Sequence, residues 1–573
     1  MGDVGRSADT RHDNVAGVRL DNAGGVKPVE QFDVVVIGAG PGGYSTALRA
    51  AQLGRSVALV ERDATLGGTC LNRGCIPSKA LITSTHTIDL VRRSAEVGVN
   101  AHLDGIDFGA LRDYRLRVVD TMTKGLAGLV AHRGITVFRG TAALGGSATG
   151  VAAVAADRAA TDDAAGDVAA TAASTDATTA AAIGNVTATA TMNADADDGD
   201  RRVVAVTPSP GLAAVLRFVN AGEPTEVGDH ALLVARDVVL ATGAAPRQLP
   251  GEAFRGGLID STAALELDEF PHNAIIIGAG AVAVEFASMW RAAGCSVTML
   301  IRKDRVLSGW DRRASVTLTR ELKRRGIDIR TRTHVNRVET GANLGALVHY
   351  SHQGDDGEQT IAAEIVLAAI GRYPLTNAAW FDEAGVSRDE SGFVITDDHG
   401  RTCVPHVWAV GDITEGPALA HRAFEQGICV AESIGGMNPP AVNDATVPQV
   451  VFSWPEAASV GLTLDQAQSR DDLTEVKETA FPMMSNARML MSGMGGSMSI
   501  VSGEMSSNPG TPVVLGVHIV SPVASDIIAE AEQLVGSQVP LHDAARFIHP
   551  HPTFAECFGE ALLKADDRPL HTR

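Results

Sequence analysis

An α/β protein with two Rossmann-like three-layer domains and a C-terminal α+β domain is what this sequence predicts, and three observations predict it. The stretches "FDVVVIGAGPGGYSTALRAAQLGRSVALVERD" from Phe32 and "NAIIIGAGAVAVEFASMWRAAGCSVTMLIR" from Asn273 share one grammar. Each reads as a buried strand, a glycine turn, a helix with small residues on its packing face, and a second strand. From Val447 the pattern changes, with strand-like "VPQVVFSW" and "PVVLGVHIV" mixed with helix-like "SDIIAEAEQLV" and "FGEALLKA". Third, 573 residues exceed the size at which one hydrophobic core stops growing, and 60 glycines suit many tight strand-to-helix turns.

The elements come in order along the chain. Residues 1–31 are polar, glycine-rich and without period, and read as a disordered tail, with order beginning at Phe32. The first nucleotide-binding domain takes 32–145, resumes over 230–262 and ends with a central part over 376–443. Residues 146–229 are dominated by Ala, Thr and Asp. Lacking large apolar side chains, that stretch cannot offset the roughly 1–2 kcal/mol per residue of backbone ordering, so it reads as a largely disordered low-complexity insertion in a surface loop, with a short Ala-rich helix as the alternative. The second nucleotide-binding domain occupies 263–375 and the α+β domain 444–573.

Composition excludes some classes of function. A formal charge of -20 repels nucleic acid and anionic membrane over a Debye length of about 8–10 Å. Six cysteines are too few for a secreted disulfide framework, and Cys295, Cys403, Cys429 and Cys557 are scattered as core or surface thiols. The opening segment has no apolar core of a signal peptide, and no run approaches the roughly 20 apolar residues of a membrane helix. The expectation is a cytoplasmic protein.

Chemistry concentrates at the turns and the cysteines. Gly38-Ala39-Gly40-Pro41-Gly42-Gly43 follows a strand and opens a helix, and Glu61 ends the next strand. Such a turn lets a pyrophosphate approach the backbone at a helix N-terminus, and the acidic residue takes a ribose hydroxyl pair. The second turn, Gly278-Ala279-Gly280-Ala281-Val282-Ala283, has the permitted alanine in third place. There Ile301, Arg302 and Lys303 stand where an acidic residue suits an unphosphorylated ribose. Basic groups favour a 2′-phosphate; the alternative is a pair of ordinary solvated charges at a strand end.

Cys70 and Cys75 lie in "GGTCLNRGCIPSKAL" and admit three uses: structural staple, metal clip or redox pair. On a regular helix, residues five apart are displaced by roughly 7.5 Å, beyond the ~7 Å Cα limit for a disulfide, so bonding requires a break that Gly67, Gly68 and Gly74 permit. No second Cys/His pair at close spacing accompanies them, and a staple would close only a tiny loop. The redox reading is preferred. Two nucleotide folds beside a dithiol imply a relay in which one fold holds a flavin and the other a nicotinamide. A thiolate needs a base, and the candidate is His551 in "FIHPHPTFAECFGEALL", with Glu556 to hold the other ring nitrogen.

With these residues in place the sequence resembles the class I flavin-dependent pyridine nucleotide–disulfide oxidoreductases, and within them the dihydrolipoyl dehydrogenases most closely. The anchors are "GGTCLNRGCIPSK", "LATGAAP", "AAIGRYP", "VWAVGDITEGPALAHRAFEQG", "WPEAASVGLT" and "HPHPTFAE", from Phe32 to Lys564 apart from the insertion. The resemblance implies that Cys70 is the interchange thiol and Cys75 the flavin-facing thiolate of a redox-active disulfide. It implies that Lys79 sits near the flavin and pairs with Glu285, and that His551, from the partner subunit of a homodimer, is the base oriented by Glu556. FAD contacts are implied at Gly38, Gly40, Gly43, Glu61, Arg62, Thr69, Lys79, Gly140, Thr242, Gly243, Asp412, Ala418, Leu419, Ala420 and His421. NAD(P) contacts are implied at Gly278, Gly280, Ala283, Glu285, Ile301, Arg302, Lys303 and Gly371.

The activity implied is oxidation of dihydrolipoyl thiols through the Cys70–Cys75 disulfide and FAD to reduce NAD⁺, with a 2-oxo-acid dehydrogenase complex as partner and no metal. Two readings compete. "LIRKDRVL" is similar to the NADPH-using glutathione or mycothione reductases, and a non-catalytic flavoprotein binding module is the alternative from another class. The C-terminal "DDRPLHTR", without a vicinal cysteine pair, speaks against mercuric and high-molecular-weight thioredoxin reductases.

Overall fold

The computed structural model describes residues 30–147, 202–208, 231–341, 345–354 and 357–572. The first sheet is built on β1 (Glu30–Ile37), which runs parallel to β2 (Val57–Glu61) on one side and β5 (Ala231–Leu240) on the other. Val34, Val35 and Val36 are all fully buried, because helices cover one face of this parallel sheet and the meander and central segment cover the other. β2 pairs with the first half of β3 (Thr136–Ser147); the second half turns antiparallel to β4 (Arg202–Pro208), which pairs with β5. The strand Val407–Ala409 returns to pair with β5.

Two expectations need correction here. The tail does not reach residue 31, since Glu30 and Gln31 belong to β1 and pair with Leu233 and Val234. Within 146–229, Arg202–Pro208 forms a strand, because its backbone finds partners in both β3 and β5. Residues 1–29, 148–201 and 209–230 lie outside the described residues.

The second nucleotide fold repeats the first at a constant offset. β6 (Asn273–Ile277) sets Ile277 opposite Leu300 of β7 (Ser296–Leu300), just as Ile37 stands opposite Val60. The Gly38 N–H donates to Val60 O at 2.8 Å and the Gly278 N–H to Leu300 O at 3.2 Å. Each equivalent lies 240 residues on, so Ile301, Arg302 and Lys303 take the places of Glu61, Arg62 and Asp63. Both turns require glycine at the first position. φ is +102° at Gly38 and +135° at Gly278, and a Cβ would stand 2.3 and 2.2 Å from the carbonyl oxygens of Ala241 and Ala369.

Between β1 and β2 runs α1 (Pro41–Gln52), followed after β2 by the short α2 (Gly68–Arg73) and the long α3 (Cys75–Arg93). The second fold carries α4 (Ala281–Ala293), whose Trp290 is fully buried. A three-stranded antiparallel sheet over 333–340, 346–352 and 358–363 covers its β-sheet, with Val348 and Tyr350 in the shared core. The C-terminal domain is a five-stranded antiparallel sheet in the order Gln449–Val451, Glu456–Gly461, Pro512–Ser521, Ser497–Met505, Leu473–Phe481. Helices Ala524–Gly536 and Glu556–Ala565 pack Ile528 and Phe558 onto it. Among the described residues no helix is long and apolar enough to cross a membrane.

The cysteine loop packs directly against the first glycine turn, which fixes where the two thiols sit. A Cβ at Gly68, where φ is +55°, would stand 2.6 Å from Gly40 Cα. Gly68→Ala is therefore expected to destabilise the protein by about 1–3 kcal/mol, read as a lowered Tm, as overpacking against backbone does.

Candidate active site

Two backbone features place the cysteines. The Gly67 N–H donates to Ala39 O at 2.8 Å, which ties the start of α2 to the first glycine turn. Gly74, with φ -143° and ψ -107°, then interrupts the helix, so α3 starts anew at Cys75. Cys70 and Cys75 thus do not share one regular helix. Both are free thiols, Cys70 half-buried and Cys75 exposed.

Their acidities diverge. The neighbouring Cys70 thiol, with the positive charge of Lys79, draws the Cys75 thiol down to about 7. Cys70, beside the Cys75 sulfur and desolvated, is pushed up. Tyr44, one residue past the glycine turn, is pushed up to about 12 by burial and by the two cysteines.

Lys79 is one turn into α3 from Cys75, on the same face. Its Nζ lies 3.0 and 2.9 Å from the two oxygens of Glu285 and 4.5 Å from the centroid of the Phe452 ring. Glu285 is 9% exposed; its Oε1 also accepts from the Phe452 N–H at 3.0 Å, and Oε2 lies 3.5 Å from the Ser78 hydroxyl. Burying a carboxylate is costly unless its oxygens find partners of this kind.

The two glycine turns open helices whose caps, Gly40 and Gly280, make no side-chain hydrogen bond. Their first N–H groups are therefore offered to an anion. At the first turn Glu61 is 6% exposed, and its oxygens accept from the N–H groups of Ala39 at 2.8 Å and Asp63 at 2.9 Å. Burial pushes its carboxyl above the usual range. Lone pairs left over on a doubly bonded carboxylate still suit a ribose diol. At the second turn Ile301 is 1% exposed and its side chain is in the core. Arg302 and Lys303, next along the chain, present their side chains to solvent.

The remaining first-domain positions gather around the same strand ends. The Thr242 hydroxyl donates to Leu375 O at 2.8 Å beside Gly243, and Gly140 sits where β3 passes from β2 to β4. Asp412 lies 3.9 Å from Arg372, and burial pushes its carboxyl upward. Ala418 leads to α5 (Ala420–Ile434), whose cap Leu419 supplies no side-chain bond; the His421 ring meets Pro448 O at 2.7 Å. Two uncapped helix ends, a glycine turn without room for a Cβ and a buried carboxylate fit a flavin dinucleotide. The second turn, with Gly371 at φ +118° nearby in the chain fold, fits a nicotinamide dinucleotide.

His551 stands on the C-terminal domain, not beside the cysteines of its own chain. Its side chain is 80% exposed, and Nδ1 lies 2.8 Å from Glu556 Oε2. Asn486, which no sequence pattern singled out, reaches Glu556 Oε1 at 2.5 Å. An Asn just ahead of "ARMLMS" signals a helix cap and nothing more. Phe452 was missed for a similar reason, because it serves Lys79 and Glu285 partly through its backbone.

Comparison with known proteins agrees with this arrangement. Residues 32–427 match the family "Pyridine nucleotide-disulphide oxidoreductase", and residues 447–562 match its dimerisation domain. The chain is 32% identical to the dihydrolipoyl dehydrogenase of Geobacillus stearothermophilus, covering 94% of this chain and 97% of that one. It is 33% identical to that of Cupriavidus necator, covering 95% and 99%. Among solved structures it is similar in fold to LpdA from Mycobacterium tuberculosis, with TM-score 0.73 and 23% identity over 94% of this chain and all of that one.

Lys79→Met removes the cation that favours the Cys75 thiolate. The Cys75 midpoint is expected to rise by about one pH unit from its value near 7, so that the thiolate fraction at neutral pH falls. The ultraviolet thiolate absorbance of the reduced protein, with Cys75→Ser as baseline, reads this directly.

Proposed function

Because the chain belongs to the pyridine nucleotide-disulphide oxidoreductase family, we propose that it is a dihydrolipoyl dehydrogenase, passing electrons from a dihydrolipoyl dithiol to NAD⁺. At the coarser level it is an oxidoreductase acting on sulfur groups, a homodimer, with FAD and NAD(P) as cofactors. The observation that supports the finer reading is the cysteine loop itself, in which Gly74 breaks the helix between Cys70 and Cys75 while Lys79, held by Glu285, stands one turn beyond Cys75. Cys75 is assigned as the thiolate that leaves and Cys70 as the sulfur that is attacked.

In this reading the oxidised form carries a Cys70–Cys75 disulfide. One substrate thiol gives its proton to Nε2 of the partner subunit's His551, and the resulting thiolate attacks Cys70 Sγ. The Cys70–Cys75 bond breaks and Cys75 leaves as a thiolate stabilised by Lys79. The second substrate sulfur, losing its own proton, attacks the first; the substrate disulfide forms and Cys70 leaves, taking the proton held by the histidine. Two electrons have moved from the dithiol to the cysteine pair, one proton remains on Cys70 and one is released. Glu556 holds the histidine in the tautomer with Nδ1 protonated and stabilises the imidazolium. FAD, when bound at the first glycine turn, supplies the two-electron path from Cys75 to the nicotinamide. The dithiol would reach the site on a 2-oxo-acid dehydrogenase complex.

A second reading has a specific observation in its favour. The place of Glu61 is taken in the second fold by a buried Ile301, with Arg302 and Lys303 exposed beside it, an arrangement that suits NADPH and a low-molecular-weight disulfide such as glutathione or mycothiol.

A panel of dihydrolipoamide, glutathione disulfide, mycothione and quinones against both nicotinamides decides between them. The expected result is dihydrolipoamide turnover with a higher kcat/KM for NAD⁺ than for NADP⁺. NADPH preference with a disulfide other than lipoamide would establish the second reading instead. In the same assay His551→Gln should lower dihydrolipoamide turnover by about 10²–10⁴-fold, the contribution of a positioned base.

A further inference from the structure

Glu556 opens the helix Glu556–Ala565 of the C-terminal domain, and its carboxylate has two oxygens with different partners. Oε2 meets His551 Nδ1 at 2.8 Å and Oε1 meets Asn486 Nδ2 at 2.5 Å. Asn486 is 6% exposed and every polar atom of its side chain is committed. Oδ1 accepts from the Met489 N–H at 3.1 Å, capping the helix Ala487–Ser492, and Nδ2 also donates to Thr553 O at 3.1 Å. This network sets the amide orientation, because rotating the amide by a half-turn would put its oxygen against two acceptors.

We infer that Asn486 is a positioning residue: its amide holds the Glu556 carboxylate so that the other oxygen faces His551. The terminal torsion of a glutamate is broad, and one hydrogen bond to an exposed imidazole does not define it. A buried asparagine anchored by a helix cap does. The Thr553 hydroxyl, which donates to Pro550 O at 2.7 Å and accepts from the Glu556 N–H at 3.2 Å, holds the backbone of the same loop, so Asn486 is left to hold the carboxylate itself. Asn486 joins this loop to the segment before strand Ser497–Met505 through Thr553 O as well as Glu556. Among the described residues, Glu556 is the charged group bonded to the His551 ring. Losing its alignment removes support for the imidazolium and lowers the proton affinity of His551.

The consequence for turnover rests on the proposed role of His551 as the base; the positioning itself does not. The test therefore reads the histidine directly. In the holoenzyme dimer with selectively labelled histidine, the His551 resonance, assigned by its loss in His551→Gln, is titrated by NMR in wild type, Asn486→Ser and Asn486→Ala. Serine keeps the helix cap but cannot reach Glu556, whereas alanine loses both. The His551 midpoint is expected to fall in both variants. Asn486→Ala, which also loses the cap, should show the larger fall in Tm. An unchanged midpoint in Asn486→Ser, or a shift confined to Asn486→Ala, overturns the inference. A shifted midpoint should be accompanied by a kcat for dihydrolipoamide lowered about 10- to 100-fold, the factor attached to a charge-assisted hydrogen bond, with flavin reduction by the nicotinamide unaltered. If the midpoint moves while kcat does not, Asn486 still positions Glu556 and the assignment of His551 as base fails.

Discussion

One carboxylate, that of Glu285, joins the three domains of this molecule. It projects from the first turns of α4, in the second nucleotide fold; it takes both of its short contacts to Lys79 from α3 of the first fold, and it accepts the Phe452 N–H from the C-terminal domain. Trp454, two residues on, repeats the connection by donating its N–H to Ser288 Oγ at 2.9 Å and packing its ring, tilted by 46°, against His86 of α3 with centroids 4.3 Å apart. A buried charge is expensive unless it is paired and hydrogen-bonded, so the position of each partner is constrained by the other two. The lysine that sets the acidity of Cys75 is held by elements far apart in the chain.

That constraint gives the cysteine pair its asymmetry. Cys70 and Cys75 have the same intrinsic chemistry, and what separates them is placement: Cys70 is half-buried within α2, whereas Cys75 opens α3 one turn ahead of Lys79. Glu285 acts in the opposite sense, raising the Cys75 thiol slightly while it locates the lysine that lowers it. Gly74 matters as much as any charge, because without the break in the helix the sulfurs would not meet.

The two nucleotide folds show how little need change for a common backbone to take different ligands. Register, glycine geometry and the hydrogen bond from the first glycine recur at an offset of 240 residues. One position departs most in chemistry. Where Glu61 receives the Ala39 N–H, the second fold has an isoleucine packed in the core, followed by Arg302 and Lys303. Charge at that strand end is therefore of opposite sign in the two folds.

Much of this was legible in the sequence, and the parts that were share a property. The strand–glycine–helix units, the cysteine loop with its helix-breaking glycines and the proline-flanked His551 ahead of Glu556 are patterns within a few residues, where steric and hydrogen-bonding rules act locally. Tertiary structure alone decided the rest. The strand Arg202–Pro208 looked like the end of a low-complexity stretch, because only the edges offered by β3 and β5 give its backbone a partner. That the Ile301 side chain packs into the core, while Arg302 and Lys303 stand in solvent, was decided by the sheet. Asn486 and Phe452 carried no signal, since their roles depend on bonds across 70 and 167 residues of chain. Local patterns in the sequence determine which chemistry this protein has available; long-range packing, which brings single atoms together without any periodicity to announce it, decides which residues hold that chemistry in place.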